Sequence, residues 1–549
     1  MKKKLGELLL ELGYIGPDQL QAALKEAQNT GEMLGDVLIR LGWLSHEELN
    51  MALAAQSGAR ILDPLRTSVD MDLLGAIPAE TAKRHMILPL ERRGDALSVA
   101  MANPYDVLAR DQVRNMTGFD VEPVIASPEW LAKAIDFYYG TAATLDKQVE
   151  ELVRRATAEG GPSGDESVNI RLVHLLITKG LVAGASDIHI DPDAKVVRVH
   201  YRIDGSLHQE YLMPKRLHGG LVTRIKVLSD IPIADPNVPH DGRTIFHSDI
   251  QDVPIRVSTL PTQHGEAAVL RLLQRAEAAG DMDRLGFPER EAALFTHAIQ
   301  RPYGLVLVTG PTGSGKTTTL YTALLQVKKP TNNVLTIEDP VEYVLPTVRQ
   351  TAVNPKAGFT FATALRSALR QDPDVIMVGE IRDQETAALA LRAAITGHLV
   401  LSTLHTNDAP SAIHRLLDLG VNPTILASGL RLIVAQRLVR RLCERCREPH
   451  EPTAEERRLL ESHGLDGSSG FFRAAGCDAC RGTGYKGRVG IFEVMEIGPD
   501  IEEMIVTQAP RSRIQEAAMA RGMQPLLADG LAKAAAGITS LEEAIRTAT

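Results

Sequence analysis

The residues best suited to chemistry form a glycine-rich segment in the second half of the chain. In order they are Gly310, Pro311, Thr312, Gly313, Ser314, Gly315, Lys316, Thr317 and Thr318. The first eight fit the pattern in which backbone N–H groups cradle phosphates, a lysine reaches the β and γ phosphates and a hydroxyl binds Mg²⁺. An apolar strand, Leu305–Val308, precedes the loop and a helical run, Thr317–Val327, follows it. These flanks favour a nucleotide site over a glycine-rich turn that only resembles one.

Acidic residues and a histidine follow three further apolar runs. Val375–Val378 ends in Gly379 and Glu380, at the position where a P-loop ATPase presents an acid to the metal or the attacking water. Thr336–Glu342 offers three more carboxylates. His405 follows the predicted strand that ends at Thr403. Taken singly, each acid reads more simply as a solvated strand end and the histidine as a packing residue, so only the ensemble indicates catalysis.

All four cysteines lie in two CxxC pairs, Cys443 with Cys446 and Cys477 with Cys480. Four thiolates complete a tetrahedral zinc shell with no open position, which predicts a structural metal. The chain shows no secretion signal, and a reducing compartment disfavours disulfides. A redox-active pair is the alternative interpretation.

The first sixty residues contain an internal repeat that predicts two helix–turn–helix units. Leucines four apart share one helical face, and the internal glycine of each unit marks a turn. The repeated residues are Leu5, Gly6, Leu9, Gly13, Leu20 and Leu24, which recur as Leu34, Gly35, Leu38, Gly42, Leu49 and Leu53.

Composition indicates a large soluble protein of three or four domains. The chain has 549 residues, 44% hydrophobic and 23% charged, which is ordinary for globular proteins. The net charge of −9 disfavours binding of nucleic acid over the whole surface. No run approaches the roughly 20 apolar residues that span a bilayer, so we expect a cytoplasmic protein that meets the membrane through a partner.

Strand and helix patterns place these sites in order along the chain. Short strands such as Ile87–Leu90 and Leu97–Met101 predict a small α/β domain, and the Gly-rich and acidic stretch 158–167 predicts a flexible linker. A predicted helix at Val168–Val182 begins a strand-rich segment. From Gly304 onward strands and helices alternate, which is typical of a parallel sheet covered by helices.

These motifs together resemble the secretion and pilus assembly ATPases of the GspE and PilB family. The correspondence rests on the order of the P-loop, Thr336–Tyr343, Val375–Asp383 and Thr396–Asp408, and on upstream segments at 185–189, 202–205 and 241–243. It implies an α/β protein with a RecA-like ATPase core after a PAS-like α+β domain, closed into a homohexamer. The implied domains are a helical tandem repeat at 1–58, a small α/β domain at 59–140, a linker at 141–166, the PAS-like domain at 167–286, and the ATPase domain at 287–549 with a zinc excursion at 440–487.

The resemblance also assigns roles to individual residues. It makes Glu342 the general base, Glu380 a carboxylate on the magnesium side and His405 a residue that senses the γ phosphate by contact. It leaves open how the two glutamates divide their roles. Arg256 and Arg271 match arginines that act on a neighbouring subunit's nucleotide. The guanidinium group suits this role because it is planar, stays charged and binds oxygens bidentately. Plain surface arginines are the alternative.

The implied function is a motor that hydrolyses ATP with Mg²⁺ and turns a platform protein of the inner membrane, with a cytoplasmic or membrane adaptor. The machine is a type IV pilus or a type II secretion pseudopilus, and no nucleic-acid partner is expected. Two rival functions remain: a nucleic-acid translocase on the same core, and a nucleotide-gated binding module with little hydrolysis.

The N-terminal repeat, residues 1–58, resembles the cyclic-di-GMP-binding domain at the front of some family members, the MshE type. Backbone groups at Gly6 and Gly35, with apolar cover from neighbouring leucines, could hold such a ligand. The arginine expected before each Leu-Gly is Lys4 in the first unit and Met33 in the second. Helical hairpins that dock on another protein are the alternative.

Overall fold

The computed structural model describes residues 3–548 except 63–68, 70, 94–95, 159–165, 249–251, 274–281, 330, 346 and 468–469. The chain forms two compact units, Met1–Arg275 and Ala276–Thr549. Across the described ranges, no helix combines the length and the apolar character needed to cross a membrane.

The N-terminal repeat folds as two helix–turn–helix units, which confirms the prediction. Its helices are α1 (Leu5–Glu11), α2 (Pro17–Thr30), α3 (Leu34–Arg40) and α4 (His46–Ser57). A Cβ atom on Gly6 would lie 2.8 Å from Leu20 Cδ1, and one on Gly35 would lie 3.0 Å from Leu49 Cδ1. The Leu-Gly openings therefore allow each short helix to pack closely on the next.

A small α/β domain follows. Its elements are β1 (Arg60–Ile61), α5 (Met71–Leu74), α6 (Ala79–His85), β2 (Ile87–Arg93), β3 (Ala96–Met101), α7 (Val107–Thr117), β4 (Asp120–Ile125) and α8 (Pro128–Ala158). The sheet order is β1-β4-β3-β2, in which only β2 pairs antiparallel. Both strands predicted here from the sequence are confirmed.

Helix α8 occupies most of the segment predicted to be a linker. Leu131 packs in the core of the small α/β domain, whereas Leu145, Val149 and Leu152 pack in the core of the domain that follows. Residues 141–158 are thus helical, because apolar side chains three and four apart give this stretch a buried stripe. The rest of the predicted linker, 159–165, lies outside the described residues.

The third domain of the first unit is a six-stranded antiparallel sheet with helices on one face. Its elements are α9 (Glu166–Val182), β5 (Asp187–Pro192), β6 (Val196–Ile203), β7 (Ser206–Pro214), α10 (His218–Leu228), β8 (His240–His247), β9 (Asp252–Thr262) and β10 (Gly265–Leu272). The strand order is β7-β6-β5-β10-β9-β8. Alternate residues such as Ile188, Tyr201, Val257 and Leu270 point into the core under the helices.

The second unit is built on a seven-stranded sheet of order β13-β12-β14-β15-β11-β16-β19. All neighbours pair in parallel except β16 with β19, which confirms the predicted parallel sheet. The strands are β11 (Gly304–Thr309), β12 (Val334–Glu338), β13 (Arg349–Ala352), β14 (Val375–Val378), β15 (Leu399–Leu404), β16 (Leu430–Leu442), β17 (Glu448–Pro449), β18 (Phe472–Arg473) and β19 (Tyr485–Glu496).

Helices cover this sheet. They are α11 (Met282–Leu285), α12 (Glu289–Gln300), α13 (Lys316–Val327), α14 (Phe361–Ala368), α15 (Gln384–Ile395), α16 (Ala409–Asp418), α17 (Pro423–Gly429), α18 (Ala454–Ser462), α19 (Pro499–Val506), α20 (Arg511–Ala520), α21 (Leu526–Ala535) and α22 (Leu541–Ala548). Leu285 packs in the core of this unit. The unit therefore begins earlier in the chain than the predicted start at residue 287.

Candidate active site and cysteine cluster

The glycine-rich loop joins β11 to α13 at the carboxyl end of the parallel strands. This is the edge where open α/β sheets bind ligands. Gly313 and Gly315 have φ angles of 80° and 88°, which side chains rarely adopt. A Cβ atom on Gly315 would also lie 2.8 Å from Gln436 Nε2. The loop thus needs glycine both for its backbone turn and for its close approach to β16.

Two polar groups in the loop fit a phosphate ligand. Lys316 Nζ donates to the carbonyl oxygens of Gly310 at 2.8 Å and Pro311 at 3.0 Å. Burial lowers the pKa of Lys316 to about 8, against the opposing charge of Glu380. Ser314 is 3% exposed, and its Oγ finds no hydrogen-bond partner in the described part of the chain. A bound triphosphate would satisfy both groups.

The other predicted loop residues have the exposure expected of a ligand cradle. Pro311, Thr312 and Gly313 are exposed, and Thr317 and Thr318 are half-buried in the first turn of α13. The Thr317 hydroxyl therefore stands one residue after Lys316, where Mg²⁺ bound to phosphate would meet it.

Glu380 and His405 meet beside the loop. His405 Nε2 lies 3.4 Å from Glu380 Oε2, and Arg382 forms an ion pair with the other carboxylate oxygen. A pocket of about 490 Å³ opens here, lined by Glu380, Ile381, Arg382, Leu404, His405 and Arg415. Since the charge of Glu380 acts on Lys316, the structure brings together three of the predicted site residues.

A threonine pair fixes the histidine loop to the strand that leads into the P-loop. Thr309, the last residue of β11, shares a 2.7 Å hydrogen bond between its Oγ1 and that of Thr406. The Thr406 N–H also donates to Thr309 Oγ1 at 2.9 Å. His405 is the preceding residue, so these bonds limit how far it can move from the phosphate side.

Glu338 and Glu342 occupy different environments, although they lie in one segment. Glu338 is buried and accepts hydrogen bonds from Tyr321, from Thr336 at 2.5 Å and from Gln350 at 3.1 Å. Burial raises the pKa of Glu338, and the hydrogen-bond donors oppose this. Glu342 is only partly buried, and its N–H donates to the Tyr321 hydroxyl at 3.4 Å. Glu338 therefore orders the segment, and Glu342 is the more exposed of the two glutamates.

Two residues behind the loop had no signal in the sequence. Gln436 is buried, and its Oε1 accepts from Thr319 Oγ1 at 2.8 Å. Arg437 donates to the carbonyl and side chain of Asn407, both at 3.2 Å. These contacts join β16 to the P-loop helix and to the loop that carries His405. They depend on strand order, which no local spacing reveals.

The four cysteines converge at the base of the excursion between β16 and β19. Their Sγ atoms all lie within 4.8 Å of one another, with distances of 3.9 Å for Cys443–Cys477, 3.7 Å for Cys446–Cys480 and 3.8 Å for Cys477–Cys480. Zn–S bonds of about 2.3 Å place tetrahedral sulfurs about 3.8 Å apart. The residues therefore fit a zinc ion of closed coordination.

Backbone amides support the same cluster. N–H groups of Cys477 and Gly484 each donate to Cys480 Sγ at 3.1 Å, and that of Gly476 donates to Cys446 Sγ at 3.3 Å. Burial alone would raise the pKa of Cys480, but the N–H donors of Cys477 and Gly484 and the neighbouring thiols lower it to about 7. A thiolate sulfur carries negative charge, so N–H groups that donate to sulfur stabilise a cluster of thiolates.

Arg256 and Arg271 lie in the first unit, on β9 and β10, whereas the P-loop lies in the second. They are directly opposite each other in the antiparallel ladder. Arg271 Nε donates to Asp187 Oδ1 at 2.8 Å. The two arginines predicted to act together are therefore cross-strand neighbours.

The parallel sheet, the P-loop and the adjoining acid and histidine define a P-loop ATPase. The family described as "Type II/IV secretion system protein" matches residues 163–546, and the chain belongs to this family. A second family, "MshEN domain", matches residues 57–145. That match covers the small α/β domain and the start of α8 rather than the helical repeat to which the MshE resemblance was assigned.

Curated relatives match over most of the chain. The type IV pilus assembly ATPase PilB of Myxococcus xanthus is 38% identical, covering 99% of both chains. The type II secretion system ATPase E of Vibrio cholerae is 43% identical, covering 70% of this chain and 76% of its own. Among solved structures, the pilus retraction motor PilT with bound ADP aligns with a TM-score of 0.50 and 28% identity, covering 68% of this chain and 96% of PilT.

Proposed function

We propose that six copies of this chain form a ring that hydrolyses ATP to extend a type IV pilus or a type II secretion pseudopilus. The observation that carries the proposal is the grouping of Lys316, Glu380 and His405 in a chain that matches a pilus assembly ATPase along its whole length. The motor acts through a platform protein of the inner membrane, with an adaptor. Residues 167–286 of each chain serve as the PAS-like domain of the bilobed subunit.

Each site residue then has a defined task. The P-loop amides and Lys316 hold the phosphate chain, and the Thr317 hydroxyl and Glu380 stand on the side of Mg²⁺, which when bound neutralises charge on the phosphates. Glu342 accepts a proton from the attacking water, and His405 contacts the γ phosphate. Arg256 and Arg271 supply positive charge to the nucleotide of a neighbouring copy.

The identity of the molecule that the motor moves is tested by measuring ATP hydrolysis by the full chain under three conditions. These are addition of the cytoplasmic part of a candidate platform protein, addition of DNA, and no addition. We expect the platform protein to stimulate turnover and DNA to leave it unchanged, in keeping with the net charge of −9. Stimulation by DNA alone would favour a nucleic-acid translocase. Negligible turnover in all three conditions would favour a nucleotide-gated binding module.

The cysteine cluster holds one structural zinc ion in this proposal. The supporting observation is the sulfur spacing of 3.7–3.9 Å, which suits a closed tetrahedral shell. With four thiolates bound, no coordination position is left for a substrate, so the metal stabilises the excursion rather than taking part in hydrolysis.

The helical repeat at 1–58 is proposed to bind cyclic-di-GMP. Met33 is 64% exposed at the start of α3, where an arginine could stack on guanine and bind its acceptor edge. Titration calorimetry on the full chain should detect binding that Met33→Arg tightens. No heat from either protein, with helix content unchanged, would favour a repeat that docks on another protein.

A further inference from the structure

The loop that carries the candidate histidine is attached to the rest of the second unit at three places. We call residues 405–408, which join β15 to α16, the His405 loop. One attachment joins Thr406 to the end of β11, and a second joins Asn407 to β16. The third runs from Asp408 to Arg511, the first residue of α20, which lies 103 positions further along the chain. A helix that is distant in sequence therefore contacts this loop directly.

Asp408 and Arg511 form a bidentate ion pair. Arg511 Nε donates to Asp408 Oδ1 at 3.3 Å, and one of its terminal nitrogens donates to Asp408 Oδ2 at 2.8 Å. Two bonds from one planar group fix the direction of a carboxylate as well as its distance. The Asp408 side chain is 19% exposed and that of Arg511 is 50% exposed. The carboxylate of the loop is thus mostly shielded from water, and Arg511 is its ionic partner.

The same aspartate also begins the next helix. Asp408 is the N-cap of α16, and its Oδ1 accepts a hydrogen bond from the Ser411 N–H at 2.7 Å. Burial alone would raise the pKa of Asp408, but the hydrogen bonds from Ser411 and Arg511 hold it below the usual value of an aspartate. The carboxylate therefore stays charged, and it joins the start of α16 to the start of α20.

Both helices have a fixed base. Glu493 of β19 is 4% exposed, and its Oε1 accepts from the N–H of Ala409, the first residue of α16, at 2.7 Å. Helix α20 packs against α16, and its Ile514 and Ala518 lie in the same core as Ile413 of α16. The backbone of α20 is thus held by packing, so the Arg511 guanidinium acts on the His405 loop from a rigid element.

We propose that Arg511 is a positioning residue for His405. It holds Asp408, and with it the His405 loop, in the arrangement in which His405 Nε2 lies 3.4 Å from Glu380 Oε2 beside the P-loop. Arg511 itself contacts no nucleotide. Loss of the ion pair frees the loop at its α16 end, so His405 spends less time where the γ phosphate reacts. The inference rests on the proposed function, because that function gives His405 its contact with the γ phosphate.

The first test compares kcat and KM for ATP in full-length variants. Arg511→Ala should lower kcat by about fivefold to tenfold with little change in KM, because the P-loop that binds ATP is untouched. Arg513→Ala is the matched control. Arg513 is an exposed arginine on the same helix with no hydrogen bond or ion pair among the described residues, so its kcat should stay within about twofold of the parent. Arg511→Lys keeps a charged donor and should recover part of the rate.

The route from Arg511 to His405 is tested by combining substitutions. Arg511→Ala should cause no further loss of kcat in a His405→Ala background, since a positioning residue acts only through the group that it positions. Asp408→Asn keeps an acceptor for the Ser411 N–H but loses the charge that Arg511 binds. It should slow hydrolysis as Arg511→Ala does, and the double variant should be no slower than either. A further loss in the His405→Ala background would show that Arg511 acts by another route and would overturn the inference.

Binding and stability measurements separate positioning from a general structural role. ADP affinity and melting temperature of Arg511→Ala should match those of Arg513→Ala, because a half-exposed ion pair adds little stability. A fall in both properties, with equal loss of kcat in Arg511→Lys, would make Arg511 a structural residue and overturn the inference. Normal kcat in Arg511→Ala with a slow His405→Ala overturns the inference alone. Normal kcat in His405→Ala overturns both the inference and the role of His405 in the proposed function.

Discussion

Lys316 is a partly buried cation whose pKa, about 8, lies close to physiological pH. Binding of phosphate favours its charged form, so above pH 8 the free amine must take up a proton when ATP binds. We therefore predict that ATP affinity falls as pH rises through about 8. Binding of a fluorescent ATP analogue across this range measures the effect, and a flat profile would contradict it.

The matched substitution is Lys316→Ala, which should abolish hydrolysis and remove this pH dependence without unfolding the protein. Lys329→Ala removes an exposed lysine shortly after the same helix and should change neither property. Near-normal turnover in Lys316→Ala would remove the P-loop assignment.

The two glutamates of the Thr336–Glu342 segment give a second prediction. Glu342→Gln should reduce kcat by about 10²-fold or more, as expected for loss of a general base, with ATP binding and melting temperature retained. Glu338→Gln should instead lower the melting temperature, because Glu338 accepts bonds from Tyr321, Thr336 and Gln350 in a buried site. Equal melting temperatures with equal rate losses would mean that the two glutamates share one role.

At this residue scale the sequence was informative where chemistry depends on local spacing. The P-loop residues and the cysteine pairs are local patterns, and the structure brings each set together. Gln436 and Arg437 lie far from the P-loop in sequence and contact its helix or the His405 loop only because β16 is the neighbour of β11. Such contacts follow from strand order, so spacing could not predict them.

Among the elements, the cysteine excursion gives a third prediction. Cys446→Ser should reduce bound zinc from one per chain and increase proteolysis within the excursion at 440–487 more than it slows hydrolysis, because a closed zinc shell stabilises structure. Metal analysis and limited proteolysis measure both effects. Asp478→Ala, an exposed non-ligand between the second pair of cysteines, is the control. A folded, active and metal-free parent protein would exclude structural zinc.

The close helix contacts of the N-terminal repeat give a fourth prediction. A methyl group at Gly35 would approach Leu49 Cδ1 to 3.0 Å, so Gly35→Ala should destabilise α3 and α4 by about 1–3 kcal/mol, as overpacking does. Hydrogen exchange should show faster opening of these helices in the full chain. Gly16→Ala is the control, because its Cβ would come no nearer than 3.5 Å to Gln19 Oε1. Equal exchange in the two variants would contradict tight packing at Gly35.

Helices and strands were predicted correctly where the sequence has a clear hydrophobic periodicity, and a helix was missed in the segment predicted to be a linker. The strand predicted at Leu97–Met101 is β3, which begins one residue earlier, and the helix predicted at Val168–Val182 is α9, which begins two residues earlier. The domain division implied by the family resemblance places 141–158 in a linker, yet Leu145, Val149 and Leu152 form a buried stripe. The stretch is helical because burial of these three side chains stabilises a helix, whatever the composition of the residues that follow it.

At the scale of the whole molecule, the sequence indicated the order of domains but not the geometry within them. One row of charged residues on the six-stranded sheet exists only through the pairing of five strands, two of which, β5 and β10, are distant in sequence; its members are Arg202, Asp187, Arg271, Arg256 and Arg243. A register shift of one residue would send alternate arginines to the other face. Tertiary pairing therefore creates a charged surface that no segment contains by itself.

Separation of the P-loop and the arginines into different units leads to the last prediction. If each site is completed by a neighbouring copy, turnover per chain must fall on dilution, whereas ATP binding per chain, which depends on the P-loop, stays constant. Light scattering identifies the concentrations at which the ring dissociates. Adding excess Lys316→Ala chains to dilute wild type should restore turnover per wild-type chain, because these chains retain Arg256 and Arg271. The double variant Lys316→Ala with Arg271→Ala should fail to restore it, since it assembles without the arginine. Turnover that stays constant across the dissociation range would show that one chain completes its own site.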